Sequence, residues 1–138
     1  MSFLVDTNVL SEPRKKHPSG AVLEWLRQHE REIYVSTIMI GELRRGMESL
    51  PDGRQKSDLQ AWLEGLCRCM KGRVLSYNTS VAHVWGQMKA RCDADGLIIP
   101  SLDSQIAATA LRYGLTVVTR NPDDFNHSDL HVLNPFVS

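Results

Sequence analysis

The sequence predicts an α/β fold in three layers, a central, mostly parallel sheet of four to five strands flanked by helices. Three observations carry that expectation. Short apolar runs alternate with segments of helical period along the chain. The first run, Phe3-Leu4-Val5, is uniformly apolar, as a strand covered on both faces must be, and it stops at Asp6. The chain has 138 residues, 42% of them hydrophobic, enough for one domain (1–138) with its own core.

After the first strand, Ser11-Glu12-Pro13 opens a loop or a first helical turn, and Pro18-Ser19-Gly20 resets the chain. Val22, Trp25, Leu26 and His29 then follow helical spacing. Glu32 to Ser36 reads as a second strand, with Ser36 or Thr37 placed to cap the next helix. That helix runs to about Leu50 on a stripe of Ile40, Leu43, Met47 and Leu50, and Pro51-Asp52-Gly53 stops it. Leu59, Trp62, Leu63, Leu66, Cys67 and Met70 give the cleanest helical period in the chain. Gly72 closes that helix, and Arg73 to Tyr77 reads as a third strand. Val81, Val84, Trp85, Met88 and Cys92 mark a further helix ending near Asp95-Gly96. The last helix spans Ser101 to Tyr113, with Gly114 as its stop. Leu115 to Thr119 is a fourth strand, and His131-Val132-Leu133 a short fifth. The first and fourth strands are the most apolar and belong at the centre of the sheet.

Composition narrows the function. Sixteen basic residues balance sixteen acidic ones, so no global charge draws the chain to polyanions. No apolar stretch is long enough to span a bilayer, and no basic segment precedes Ser2-Phe3-Leu4-Val5 as a secretory signal requires, so a cytoplasmic location is expected. The three cysteines, Cys67, Cys69 and Cys92, form no Cys-x-x-Cys pair and read as reduced, partly buried thiols. His127 and His131 fall in extended sequence, where a four-residue spacing does not align ligands, so zinc is not expected.

Acids are placed more tellingly. Asp6 ends a strand at the sheet edge where open α/β folds bind ligands. Glu42 lies about 100° around its helix from Leu43, at the border of the apolar stripe. Asp103 shares a helical face with Ile106, Ala107, Ala110 and Leu111 and so points inward, although an acid in a first turn also serves as a cap. Thr119, Asn121, Asp123 and Asp124 follow the fourth strand in what also reads as a plain turn. Carboxylates gathered in one cleft repel each other unless a divalent cation lies between them.

In order and spacing, four segments resemble the PIN domain, most closely its VapC-type and FitB-like toxin branch. They are Leu4-Val5-Asp6-Thr7-Asn8-Val9-Leu10-Ser11-Glu12-Pro13, Ser36 to Gly46 around Gly41-Glu42-Leu43, Leu102-Asp103-Ser104-Gln105-Ile106-Ala107-Ala108, and Val117-Val118-Thr119-Arg120-Asn121-Pro122-Asp123-Asp124-Phe125. The resemblance implies a Mg²⁺- or Mn²⁺-dependent endoribonuclease, the toxin of a type II toxin–antitoxin pair. By motif, Asp6, Glu42 and Asp103 take the acidic positions, with Asp6 and Asp103 as metal ligands. Glu42 would hold a water or act as a base. Asn121 stands at a fourth position held by Asp or Asn, and Thr119 at its companion hydroxyl. Asp124 could restore the charge that Asn121 lacks. The resemblance further implies a cognate antitoxin as partner, a homodimer or toxin–antitoxin hetero-oligomer, and contact with operator DNA only through the antitoxin.

Because an acidic pocket repels RNA, backbone contacts must come from bases such as Arg14, Lys15, Lys16, Arg44, Arg45 and Arg120. Two other readings compete. A weakly catalytic or inactive module regulating its operon through the antitoxin is favoured by the uncharged Asn121. An aspartyl-phosphate enzyme would also end its first strand in Asp, but would carry a second Asp where Asn8 stands and a Lys where Arg120 lies.

Overall fold

The computed structural model describes residues 1–125, 127 and 129–137. Five strands form one parallel sheet in the order β3-β2-β1-β4-β5: β1 Phe3–Val5, β2 Ile33–Ser36, β3 Val74–Leu75, β4 Thr116–Val118 and β5 Val132–Leu133. The first half of the chain builds outward from β1 in one direction, and the second half returns to β1's other side. This reversal puts a topological switch point between β1 and β4, where an open sheet leaves a crevice at the strand ends. Register is set by Leu4 opposite Tyr34 on one side and Val117 on the other. Leu4, Val5, Val117 and Val118 are completely buried, as the apolar runs predict.

Among the described residues six α-helices flank the sheet: α1 Thr7–Leu10, α2 Gly20–His29, α3 Thr37–Glu48, α4 Arg54–Cys69, α5 Thr79–Ala94 and α6 Ser101–Tyr113. Caps explain several boundaries. Ser19 and Ser36 accept bonds from Val22 and Met39 at the starts of α2 and α3. Gly114 ends α6 in the left-handed conformation (φ 67°), which a side chain would disfavour. α6 is the most enclosed helix, its centre from Ile106 to Ala110 buried without interruption, and it packs on α5, α3 and β4. Among the described residues no helix is long and apolar enough to cross a membrane.

Beyond Asp6 the sequence pattern assigns Val9 and Leu10 to no element. They form the buried side of the single-turn α1, which starts directly at Asp6 because the Asp6 side chain caps it. The third strand keeps only two of its five expected residues, because the Tyr77 amide leaves the ladder and donates to Thr37 Oγ1 (3.2 Å). Cys67 is exposed, as is Cys69, since α4 buries only the narrow line of Leu63 before Met70. On α3 the fully buried residues are Met39 and Met47, while Ile40 and Leu43 are half-buried, as is Leu50 just past the helix end.

Candidate active site

The sheet ladder itself delivers the central acid. The Asp6 amide donates to Val118 O (2.8 Å), and the Thr119 amide donates to Leu133 O (3.0 Å), so both residues are pinned at the crevice between β1 and β4. The Asp6 side chain is 7% exposed. Its Oδ1 accepts from the Thr7 amide (2.8 Å), and its Oδ2 accepts from the buried Thr119 hydroxyl (2.8 Å). Asn8 reaches the same pair, its Nδ2 lying 3.4 Å from both Asp6 Oδ2 and Thr119 Oγ1. Asn8 Oδ1 in turn accepts the Arg120 amide (3.1 Å), and Thr119 Oγ1 accepts the Asn121 amide (3.1 Å). Asp6 thus serves both as helix cap and as the centre of a network joining the two strand ends. Asn8 is a member that sequence reasoning passed over. Its signal was an amide two residues beyond a strand-ending acid.

Glu42 and Asp103 converge on Asp6 from different helices. Asp103 does not cap α6, whose N-cap is Pro100 with no side-chain bond, so its carboxylate is free for other work. The first turn of α6 is held instead by buried Ser104, which donates to Ser101 O (2.6 Å) and accepts Trp85 Nε1 (2.9 Å). Burial, followed by the negative fields of Asp6, Asp124 and Glu42, pushes Asp103 up to about 6. Burial and then Asp6 raise Glu42 above the usual carboxylate range, with Arg45 pulling the other way. Burial raises Asp6 as well, opposed by its bonds from Thr119 and Thr7 and reinforced by Asp124. Acids that raise one another in this way lie near enough for their fields to act on each other. Glu42 Oε1 is buried with no hydrogen-bond partner, an expensive arrangement for a carboxylate unless something else meets it.

The fourth position divides between two residues. Asn121 is exposed, and it joins the network through its backbone amide. Asp124, half-buried in the 3₁₀ turn Pro122–Phe125, is the acid whose field reaches Asp6 and Asp103. Asp124 thus brings to Asp6 and Asp103 a negative charge that the Asn121 side chain does not carry.

The basic residues separate clearly. Arg44 is bound to Glu48 (2.9 Å) and Lys15 to buried Glu12 (2.9 Å). Lys16 is exposed, and Arg45 stands near Glu42. The Arg14 guanidinium lies 5.3 Å from the centre of the Trp62 ring. Both line a groove of about 490 Å³ between α1, α3 and α4 that includes Asn8 and Glu42, with Leu43, Met47 and Leu59 as apolar lining.

Residues 3–129 match the PIN domain family. The chain belongs to that family. It is 37% identical to the toxin FitB of Neisseria gonorrhoeae, with 97% of this chain and 98% of the relative aligned. It is 35% identical to the VapC ribonuclease Y4jK of Sinorhizobium fredii, over 97% of each chain. The crystal structure of FitAcB from Neisseria gonorrhoeae superposes on it with a TM-score of 0.92 at 36% identity, covering 99% of each chain.

In this PIN domain the donor set consists of oxygens alone, which suits a hard divalent cation. Among the described residues no three His, Cys, Asp or Glu side chains form a ready-made cage. Magnesium does not require one, since it binds through one or two carboxylates and retains several waters. The raised acids and the unpartnered Glu42 Oε1 fit such a site.

Thr119→Val tests the network at near-constant shape. Losing the hydroxyl leaves Asp6 Oδ2 and the Asn121 amide each short of a partner. Urea unfolding should show a loss of about 1–3 kcal/mol, and hydrolytic activity should fall by roughly 10–100-fold. Unchanged values in both measurements would show that the hydroxyl is idle.

Proposed function

We propose that this protein is the toxin of a type II toxin–antitoxin pair, an endoribonuclease that hydrolyses RNA phosphodiester bonds with Mg²⁺ or Mn²⁺. The observation that carries this reading is the convergence of Asp6, Glu42, Asp103 and Asp124 on one crevice, each of the first three raised by burial and by a neighbouring acid. The similarity to proteins named as a toxin and as a ribonuclease supports it.

Asp6 and Asp103 would hold the cation. When bound, it would acidify a water, neutralise the crowded carboxylates and offset charge on the scissile phosphate. The protein's own contribution is positional. Thr119 and Asn8 hold the Asp6 carboxylate in place at the crevice, so it would meet a cation with little reorganisation. Glu42, poorly solvated and unpaired on one oxygen, is suited to accept a proton from a water or to hold that water in line. Asn121, exposed at the rim, would orient the phosphate, and Asp124 would add negative charge near the cation. Products would carry a 5′-phosphate and a 3′-hydroxyl.

The groove beside Glu42 suits an antitoxin segment with apolar side chains and a basic residue to meet the acids. In this reading the antitoxin, not the toxin, contacts operator DNA. The toxin works in the cytoplasm and associates as a homodimer or with its antitoxin as a hetero-oligomer.

The decisive experiment incubates purified protein with end-labelled, loop-containing RNA, in Mg²⁺ or with a chelator. Cleavage should require the metal, disappear in Asp103→Ala and stop when the co-encoded antitoxin is added. Equal RNA decay in wild type and Asp103→Ala would remove the assignment and leave a regulatory module.

A further inference from the structure

We propose that the C-terminal segment Asn134–Phe136 is a strap that holds Arg120 as the clamp for an RNA phosphate beside the acidic crevice, with Phe136 and Asn134 as positioning residues. The proposal rests on the ribonuclease reading for its ligand, and on separate geometry for everything else.

Arg120 lies between Thr119, which bonds Asp6, and Asn121, whose amide closes the network. It is fixed at three points. Its amide donates to Asn8 Oδ1 (3.1 Å), and its carbonyl accepts Asn134 Nδ2 (3.4 Å). Its guanidinium lies 4.8 Å from the centre of the Phe136 ring. The strap is itself braced: Asn134 Oδ1 accepts the Phe136 amide (2.9 Å), Pro135 is buried, and Phe136 packs against the hydrophobic core. The preceding strand β5 is tied to Thr119 through Leu133.

A guanidinium over an aromatic ring is held by the ring's negative face, and among the described hydrogen bonds none uses an Arg120 side-chain N–H. Among the described ion pairs none includes Arg120, whereas Lys15 and Arg44 are bound to carboxylates. Arg120 is therefore an exposed cation held against Phe136 one residue from the residue that positions the central acid; the acid its field lowers, Glu12, is already bonded to Lys15. A planar fork held in advance is the geometry that binds a phosphate by two parallel bonds, with little side-chain freedom left to lose. The acids beside it would repel the same phosphate, so an oriented cation at this rim would favour substrate approach.

The test uses full-length protein and a fluorescent single-stranded RNA. Affinity is read by anisotropy across a salt series with chelator present, and KM and kcat are read in Mg²⁺. Arg120→Ala should weaken affinity and raise KM by roughly tenfold, with kcat nearly unchanged and the log–log salt slope lower by about 0.7. Arg120→Lys should keep the slope but not the affinity. Phe136→Leu, which keeps the apolar packing without the ring, should raise KM by about two- to fivefold. Phe136→Tyr should restore it, and Phe136→Leu should add nothing in an Arg120→Ala background. A full extra loss in that double variant would overturn the strap. An unchanged affinity and slope in Arg120→Ala would overturn the clamp, as would a wild type without RNA affinity. RNA binding without cleavage in Mg²⁺ would instead count against the ribonuclease reading and leave the clamp standing.

Discussion

Asp6→Asn should abolish metal-dependent RNA cleavage, by about 10³-fold or more given the several kcal/mol that a catalytic cation supplies, without weakening the fold. The two halves of this expectation come from the same geometry. Asn keeps an oxygen to cap α1 at the Thr7 amide, so the local turn survives. It removes a carboxylate that is almost wholly buried and raised by its surroundings, so the metal-free variant escapes a desolvation cost borne by the wild type. Thermal melting separates the outcomes. Without divalent metal, Asp6→Asn should melt at or above the wild type. On titration with Mg²⁺ the wild type should rise as binding stabilises the folded state, and the variant should not. A variant that cleaves normally, or that gains the same metal-induced shift, would show that Asp6 is not a ligand.

Much of this site was legible because strand ends and helix stripes are one-dimensional patterns. An apolar run that stops at an acid places Asp6 at a sheet edge whatever the rest of the chain does. The border position of Glu42 on its helix and the inward face of Asp103 follow from periodicity alone. The central placement of β1 and β4 followed from their apolar runs, and the sheet order agrees. What stayed hidden depends on cross-chain contacts. Asn8 acquires its role only when Thr119 arrives beside it, 111 residues later in sequence. That the field of Asp124 reaches Asp103 depends on the course of the 3₁₀ turn Pro122–Phe125, which no linear pattern gives. Of six basic candidates, Lys15 and Arg44 are tied to carboxylates three and four residues away, a spacing the sequence does carry, whereas the approach of Arg120 to Phe136 needs the folded chain. The exposure of Cys67 has the same origin, since the width of an apolar stripe does not say how much of it a neighbour covers.

The crowded acids also predict an unusual stability curve for the metal-free protein. Asp103 is raised from 3.8 to about 6 in the folded state, and Asp6 and Glu42 are raised in the same direction. Between those values the folded protein binds more protons than the unfolded chain, so stability must fall as pH rises. The contribution is complete below the ordinary carboxylate pKa and is lost as pH passes through the folded value. For Asp103 the loss should be on the order of 1–2 kcal/mol once screening at a half-exposed site is allowed for. The surface pairs of Glu24 and Glu48 act with the opposite sign, because Arg27 and Arg44 lower those carboxyls. Their stability is lost only as pH falls below the usual carboxylate range, so the two effects occupy separate windows. Urea melts with chelator present should therefore show declining stability from about pH 4 to about pH 7. Asp103→Asn should flatten much of that decline, and Mg²⁺ should reverse it at the upper end, because ligands must lose their protons before a cation binds. For the same reason RNA cleavage should fall away below about pH 6. A wild-type curve that rises through this window, or an Asp103→Asn curve with the same slope, would mean that these carboxylates do not share a site.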